Sequence, residues 1–345
     1  MKPRFFLSPV VLCLAAITCT LAAAQPSAKS TATGQATAKI VAAANDLLAT
    51  LDQPVRARLR FEFKNDTQRR NWSNLPTGIY QRAGLRMGDL TSKQRDAVMA
   101  VLAAALSPEG YRKILEIVAA EELLKKDSND RLKFGADEFY VSVLGEPSTI
   151  KPWMLQFGGH HLALNVTIVG SEGILTPSHT AAQPASYTLE GKTIRPLGAE
   201  NDLAFALVNA LDPAQRKTAI LSYEIRDIVL GPGHDGETIA PEGLMASEMN
   251  SAQQAQLLGL IHEWVGIIHT EAAAGRMAEV KANLPSTYFA WSGSTTNGHP
   301  AYFRIQGPTL LIEYAPQSVG GVLTNHIHTI YRDPKNDYGK KLLAQ

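Results

Sequence analysis

Cysteine is almost absent from this chain of 345 residues, because its two cysteines, Cys13 and Cys19, both lie near the amino terminus. The segment around them begins with two cations, continues with an apolar run and ends in the small residues Ala22–Ala24. This is the pattern of a secretory signal peptide, and we expect residues 1–24 to be cleaved. An uncleaved membrane anchor is the alternative, since the apolar run is nearly long enough to span a bilayer.

The cleaved protein would contain no cysteine at all. Disulfides, thiolate ligands and cysteine nucleophiles are then excluded, so any metal site must use histidine, carboxylate or backbone oxygen. We expect an exported protein, periplasmic or secreted, with no stable membrane span after signal cleavage.

An excess of charge of one sign is also lacking. The chain has 33 Lys and Arg residues against 32 Asp and Glu residues, a net charge of +1. Since no basic block stands out, we expect no nucleic-acid partner. The GxSxG elbow, the P-loop, HExxH and a GxGxxG that opens a helix are missing too, which excludes the enzyme classes that those motifs define.

Two segments follow the predicted leader. Residues 25–39 are small and polar without apolar periodicity, and this composition predicts a flexible lead-in. Residues 40–345 are numerous enough to bury a sizeable core, and we expect them to form a single domain.

Apolar residues at helical spacing predict two helices within residues 90–126, with Thr91 as an N-cap. The first helix starts with an apolar residue, a capping residue and then a glutamine. Similar starts recur from Leu211 and Met249, and more weakly from Leu51. Two interpretations stay open: diverged repeats of one capped helix, or the generic appearance of helix starts.

Strand patterns begin near residues 137–145 and are strongest over residues 153–170. They return after helical segments between residues 200 and 282, as a C-terminal series broken by turn-rich stretches. This order predicts an α+β fold, a largely antiparallel sheet with a C-terminal β-meander, packed by several amphipathic helices.

The last strand of that series carries two histidines, His326 and His328. Residues two apart on a strand point to the same face, so both imidazoles could converge on one ion. A pair of this kind is also common on solvated strands, and that alternative stays open on this motif alone.

A second histidine pair, His160 and His161, follows the glycines Gly158 and Gly159. Adjacent strand residues point to opposite faces, and His161 shares the polar face with Asn165. Parity therefore favours His161 as the functional residue and His160 as a core histidine, unless a bulge after the glycines reverses the two.

Three charged residues near the histidines are candidate catalytic groups. Glu313 lies in an apolar run, where an ionised side chain is costly unless it is paired or bound to a metal. If its strand pairs with the next one so that odd faces even, Glu313 shares the face of His326 and His328; an edge-strand glutamate in water is the alternative. Arg332 could orient an anionic substrate. Asp333 abuts the histidine strand, although Asp-Pro is also turn chemistry.

Taken together, WMLQFGGHHLALN, TPSHTAAQPA, LLIEYA and NHIHTIYRDPKNDYG resemble a bacterial family of uncharacterised exported proteins, domain of unknown function 3500. The resemblance runs from about residue 40 to the end of the chain. It implies an exported single-domain protein and lends no activity, so the roles of the residues rest on their chemistry.

The leading hypothesis is an exported metal-binding protein, a metalloenzyme with a small-molecule substrate. Its site would contain His326, His328 and one of His160 and His161, with Glu313 as a fourth ligand or general base. Imidazole and carboxylate suit a divalent transition metal, where zinc would serve hydrolysis and iron or copper oxidation. One alternative is a non-catalytic periplasmic binding protein for a small polar or anionic ligand. Another is an interaction module in which the histidines lie far apart, and protein partners are left open.

Overall fold

The computed structural model of the chain describes residue 1, residues 28–319 and residues 321–343, and the side chains from residue 34 onward. The predicted signal peptide, residues 1–24, lies outside the described residues apart from Met1. The helices are α1 (Ala28–Ala49), α2 (Gln53–Leu59), α3 (Asp66–Arg69), α4 (Ser92–Ala105), α5 (Pro108–Leu124), α6 (Gly198–Ala210), α7 (Pro213–Ala219), α8 (Ser251–Val265) and α9 (Thr270–Asn283).

The strands are β1 (Arg60–Phe61), β2 (Leu85–Arg86), β3 (Tyr140–Leu144), β4 (Trp153–Gly158), β5 (Leu162–Val169), β6 (Glu172–Ile174), β7 (Ser178–Ala182), β8 (Tyr187–Leu189), β9 (Lys192–Ile194), β10 (Leu244–Met245), β11 (Tyr288–Gly293), β12 (Ala301–Gly307), β13 (Leu310–Pro316) and β14 (Ile327–Arg332). Twelve of them form one sheet with the path β1-β3-β4-β5-β7-β14-β13-β12-β11-β10, in which β2 adds to β3 and β6 adds to β5. β1 and β3 run parallel, and the other pairs of this sheet are antiparallel.

The predicted fold class is confirmed, because the protein is α+β with a largely antiparallel sheet. The C-terminal meander is confirmed as well: β11, β12, β13 and β14 pair in chain order, each antiparallel to the next. α1 begins at Ala28, inside the segment 25–39 for which the sequence predicts a flexible lead-in, so helical backbone starts earlier than expected. Composition alone missed this helix because its first turns contain few apolar residues.

Helices cover one face of the sheet in two separate cores. In the first core, α1, α4 and α5 pack on the strands β3, β4 and β5. In the second, α6 and α8 pack on β11, β12, β13 and β14. Alternation along the strands decides which residues face the helices: Leu162 and Leu164 belong to the first core, whereas Ala163 points to the opposite face.

Two irregular segments, residues 62–84 and 221–243, cover that opposite face. The first is tied to the sheet through Gln68, whose Nε2 donates to Gln156 Oε1 at 3.0 Å. The second is tied through Glu313, whose Oε2 accepts from the backbone N–H groups of Val229 and Leu230, both at 2.9 Å. Irregular backbone over a sheet needs such partners, since buried peptide groups must be hydrogen-bonded.

The order of elements repeats within the chain. Each half has a short helix capped by Asp52 or Asp212, a covering segment, a two-residue strand, a helical hairpin and then antiparallel strands. Thr91 forms a capping box with Gln94 at the start of α4, as Asn250 does with Gln253 at the start of α8. These matched positions favour diverged repeats over the generic appearance of helix starts.

Glycine positions repeat with the same geometry. Gly84 and Gly243 precede the two-residue strands with φ of +99° and +96°. A Cβ on Gly84 would meet Val141 O at 2.3 Å, and one on Gly243 would meet Phe289 O at 2.2 Å. Both close approaches require glycine, because positive φ and the neighbouring carbonyl oxygen each exclude a side chain.

The halves meet about a pseudo-twofold axis. The strands β3, β4, β5 and β7 lead to the centre of the sheet from one side, as β11, β12, β13 and β14 do from the other, and the centre is the antiparallel pair β7 and β14. In the helical layer, Ser107 N donates to Ile267 O and His269 N donates to Ala105 O, both at 3.0 Å. The reciprocal bonds flank an isolated bridge between Leu106 and Ile268, which therefore lies on the axis.

Candidate metal centre

Three histidines meet at the amino-terminal ends of β5 and β14, the two strands that flank β7. His161 Nε2 lies 3.0 Å from His326 Nε2, and His328 Nε2 lies 2.9 Å from His326 Nε2. The three ligand nitrogens all fall within 4.8 Å of one another. We name His161, His326 and His328 the histidine cluster.

The cluster is buried: His161 is 0% exposed, His328 3% and His326 4%. Strand parity explains the convergence of His326 and His328, which are two residues apart. His161 reaches them from β5, because β7 pairs with both β5 and β14 and spaces those strands at its two edges. The backbone bond from Ala181 N to His161 O, at 2.9 Å, fixes this end of β5 against β7.

Each imidazole turns its other nitrogen, Nδ1, toward an oxygen. His326 Nδ1 donates to the carbonyl oxygen of Val319 at 2.6 Å, and His328 Nδ1 donates to Asp227 Oδ1 at 3.2 Å. His161 Nδ1 is in direct contact with Glu121 Oε1. Since a proton on Nδ1 leaves a lone pair on Nε2 of a neutral imidazole, the three Nε2 lone pairs are directed toward one another.

The electrostatics keep these groups in the form that binds a metal. Burial lowers the pKa of His161 to about 3, and burial together with His328 lowers the pKa of His326 to about 4. Burial by itself raises the pKa of Asp227, but its contact with His328 outweighs this and holds the pKa below its usual value. At neutral pH the cluster therefore contains uncharged imidazoles at His161 and His326, with the ionised carboxylate of Asp227 beside it.

This arrangement could hold a metal ion. Ligands about 2.0–2.1 Å from a tetrahedral zinc ion stand roughly 3.3 Å apart, close to the observed separations of 2.9 and 3.0 Å. Oxygen acceptors on the far nitrogens are the usual outer partners of metal-bound histidines, because they fix the tautomer and the ring orientation. Without a cation, three converging lone pairs would repel one another.

Of the second histidine pair, His161 belongs to the cluster, as strand parity favoured. His160 stacks on it with ring centroids 3.8 Å apart, and His160 Nδ1 lies 3.2 Å from Glu121 Oε1. His160 is therefore outside the three-histidine group and instead joins a second group with Glu121 and His161.

Glu313 has the register that the sequence analysis required, because it pairs with Ile330 and so shares the face of His328. Its carboxylate is nevertheless absent from the cluster. Oε2 accepts from two backbone N–H groups of the covering segment 221–243, and Oε1 accepts from Tyr302 Oη at 2.8 Å. Its geometry assigns Glu313 a structural role, which corrects the expectation of a ligand or general base.

Arg332 is also engaged by segment 221–243. Its Nε donates to Leu230 O at 2.7 Å, and the guanidinium contacts the carboxylates of Asp235 and Asp337 at 3.0 and 2.9 Å. At 2% exposure it has no free edge for a substrate anion, contrary to the role that the sequence suggested.

Asp333 points away from the cluster. Its carboxylate pairs with Arg276 at 3.2 Å, and both residues line a separate cleft of about 450 Å³. Burial raises the pKa of Asp333. The geometry thus places none of the three predicted catalytic residues among the ligand atoms of the cluster.

Sequence reasoning missed the oxygen partners Glu121 and Asp227. Glu121 had a signal: it follows Ile114 and Ile117 at helical spacing on the buried face of α5, where a carboxylate is costly unless it is paired. Asp227 had none, because it lies in an irregular segment, and only the fold brings it to His328. Asn74, whose Nδ2 lies 3.4 Å from His328 Nδ1, was missed for the same reason.

A fourth histidine, His179, lies on β7 and is 0% exposed. Its Nδ1 donates to Thr329 O at 2.8 Å, while its Nε2 has no hydrogen-bond partner. The ring centroid lies 5.3 Å from that of His328. His179 therefore packs behind the cluster and supports the ring of His328.

The fold and the cluster define an α+β protein with a buried three-histidine group that could hold a metal ion. The chain belongs to the family described as protein of unknown function (DUF3500), whose family model matches residues 33–340. No curated protein and no solved structure gave a significant match. Among the described residues, no helix has both the length and the apolar character needed to cross a membrane.

Proposed function

We propose that this protein is an exported metalloenzyme whose histidine cluster holds one divalent transition metal. The observation that carries the proposal is the convergence of three Nε2 atoms, each on a ring whose Nδ1 faces an oxygen. No fourth His, Cys, Asp or Glu of the described residues joins this group. Three protein ligands with an open position are typical of catalytic sites, whereas structural sites are closed by four.

The residues around the cluster fix the orientation and protonation of its imidazole rings. Val319 O and Asp227 hold protons on the Nδ1 atoms of His326 and His328, and Glu121 orients the ring of His161 through its contact with Nδ1. Bound there, zinc would supply hydrolytic chemistry, and iron or copper would supply oxidation. Imidazole ligands suit all three metals, so the donor set leaves hydrolysis and oxidation as the two reaction classes.

Three residues that contact the cluster, or that adjoin such a residue in the chain, reach the surface. The side chain of Asp227 is 44% exposed, which makes it a polar group that a substrate could reach beside His328. Leu75 follows Asn74 and is 43% exposed, and Val319, beside His326, is 71% exposed. Exposed apolar side chains next to a polar centre favour a small substrate with both polar and apolar parts.

The alternative of a binding protein for an anionic ligand loses its best residue, because Arg332 is fully engaged. The convergence of three histidines weighs against an interaction module in which the histidines lie far apart.

Elemental analysis of the purified protein tests the proposal. We expect about one equivalent or more of a transition metal in the wild type and none in the variant His326→Ala/His328→Ala. The matched control is His262→Ala, an exposed histidine of α8 outside the cluster. If the wild type neither contains nor binds metal, or if the double variant retains all of it, the proposal fails.

Export is tested separately. Expression of the full chain in a bacterial host should yield protein in the periplasm or medium, with an amino terminus at Gln25. Retention in the cytoplasm with an intact leader would contradict the exported part of the proposal and leave the metal site untouched.

A further inference from the structure

The Nδ1 side of His161 carries a second cluster of ligand atoms. Glu121 Oε1 contacts His161 Nδ1 directly and lies 3.2 Å from His160 Nδ1. None of these three atoms has a well-formed hydrogen bond, although the Glu121 and His161 side chains are each only 1% exposed. The three ligand atoms fall within 4.8 Å of one another.

Charge is the first argument that this cluster takes a cation. The side chain of Glu121 is buried, and its Oε1 faces the Nδ1 atoms of both His160 and His161. Among the described residues, no lysine or arginine forms a direct ion pair with Glu121, and Arg82 interacts with it only at longer range. An ionised carboxylate in a buried site is costly unless a positive charge compensates it.

Ring placement is the second argument. The imidazoles of His160 and His161 stack at 3.8 Å with an interplanar angle of 25°. Both residues occupy the short turn between β4 and β5, so they do not alternate as strand residues would, and both present Nδ1 to the same carboxylate. His160 is the outer member: its side chain is 11% exposed and its ring lies 5.2 Å from that of Phe134.

We propose that Glu121, His160 and His161 form a second site for a divalent transition metal, adjacent to the first. His161 would bridge the two sites, with Nε2 in the histidine cluster and Nδ1 in the second site. For this the ring gives up its Nδ1 proton to solvent and becomes an imidazolate. The negative charges of Glu121 and the imidazolate together balance the charge of the second ion.

The inference rests on the proposed function, because the bridge needs a metal at Nε2. The rival explanation is an ion pair between Glu121 and a protonated His160, with a single metal bound at the histidine cluster. The two explanations differ in the number of ions that each chain binds.

Stoichiometry separates them. The purified protein is stripped with a chelator, loaded with excess Zn²⁺, freed of unbound ion and analysed for zinc per chain. We expect two equivalents in the wild type, one in His160→Gln and two in the control His262→Gln. One equivalent in both the wild type and His160→Gln would overturn the second site alone, whereas no zinc in any variant would also overturn the proposed function.

Copper gives a readout that needs no variant. In protein loaded to saturation with Cu²⁺, an imidazolate bridge should couple the two ions, so the integrated paramagnetic resonance signal falls below the total copper content. Restoring the full signal per copper in His160→Gln would complete the test. A wild-type signal equal to its copper content would overturn the bridge, whether or not the variant folds.

Discussion

The two halves of the sheet share a framework and differ in what occupies it. Gly159 and Leu162 close the turn between β4 and β5, as Gly307 and Leu310 close the turn between β12 and β13. The first turn carries His160 and His161, and the equivalent second turn carries Pro308 and Thr309. The two halves therefore differ at a few turn and strand-end residues, and the surrounding architecture is common to both.

The helices facing the two turns differ in the same way. Glu121 of α5 brings a carboxylate to the histidine turn, whereas Arg276 of α9 donates to the carbonyl oxygen of Thr309 and pairs with Asp333. β5 corresponds to β13. Ile174 pairs with Thr167 of β5, at the position where His328 pairs with Ala315 of β13. The turn with His160 and His161 thus faces a carboxylate, whereas the turn with Thr309 faces an arginine that is paired with Asp333.

The largest effect is expected from a substitution in the turn between β4 and β5, compared with one in the turn between β12 and β13. His161→Ala removes a ligand of the histidine cluster, and we expect metal affinity to fall by more than about 100-fold, beyond the loss typical of outer partners. Thr309→Ala, at the equivalent position, should leave affinity unchanged. Isothermal titration of both stripped variants with Zn²⁺ measures the difference, and equal losses in the two variants would contradict the asymmetry.

Glu313 and Asn165 occupy equivalent strand positions and offer a second comparison. Glu313→Ala leaves two buried N–H groups and a tyrosine hydroxyl without their acceptor, so we expect a loss of about 3 kcal/mol or more in the free energy of unfolding. Asn165→Ala removes the acceptor of Gln156 Nε2 and the donor to Pro177 O, and should cost about 1–2 kcal/mol.

Urea unfolding measures both variants, and metal affinity is the control. If Glu313 acts only on segment 221–243, Glu313→Ala keeps nearly full Zn²⁺ affinity once it is folded. A selective loss of metal with unchanged stability would instead return Glu313 to the metal centre.

Acid should destabilise the metal-free protein through two of its buried histidines. The folded pKa values of His161 and His326, about 3 and 4, lie below the unfolded value of about 6.5. The unfolded chain then binds protons first as the pH falls, so the metal-free protein loses stability below about pH 6.5, by up to roughly 1.4 kcal/mol per pH unit for each group.

Unfolding of the stripped protein between pH 7 and 4.5 measures this slope, above the range in which most carboxylates titrate. The variant His161→Asn should show a shallower slope, whereas His299→Asn, at an exposed turn, should match the wild type. A wild-type slope near zero would mean that the buried imidazoles are compensated by another group.

The sequence could predict features that depend on local backbone patterns, and it could not predict contacts that depend on how distant segments fold together. Strand alternation predicted the shared face of His326 and His328, because parity is a local property of the backbone. It also favoured His161 over His160, but both lie in the turn between β4 and β5, where strand alternation does not apply. The face of Glu313 depended on a strand register that the sequence left open, and the N–H groups that occupy its carboxylate belong to segment 221–243, which has no periodic pattern. Asp227 could not be found, since its approach to His328 depends on how that segment folds over the sheet.

The smallest effect is expected from the helix caps, which test whether the two halves share the same framework. Thr91 and Asn250 cap equivalent helices, each in a capping box with a glutamine. The two glutamines also repeat their outside contacts: Gln94 donates to Thr50 O and Gln253 to Ala210 O.

Because the local geometry is the same, Thr91→Ala and Asn250→Ala should each lower the free energy of unfolding by about 1 kcal/mol. Denaturant unfolding should give values for the two variants that agree within about 0.5 kcal/mol, with metal content unchanged in both. A cap that mattered several times more in one half would show that the halves have diverged in their framework as well as in their chemistry.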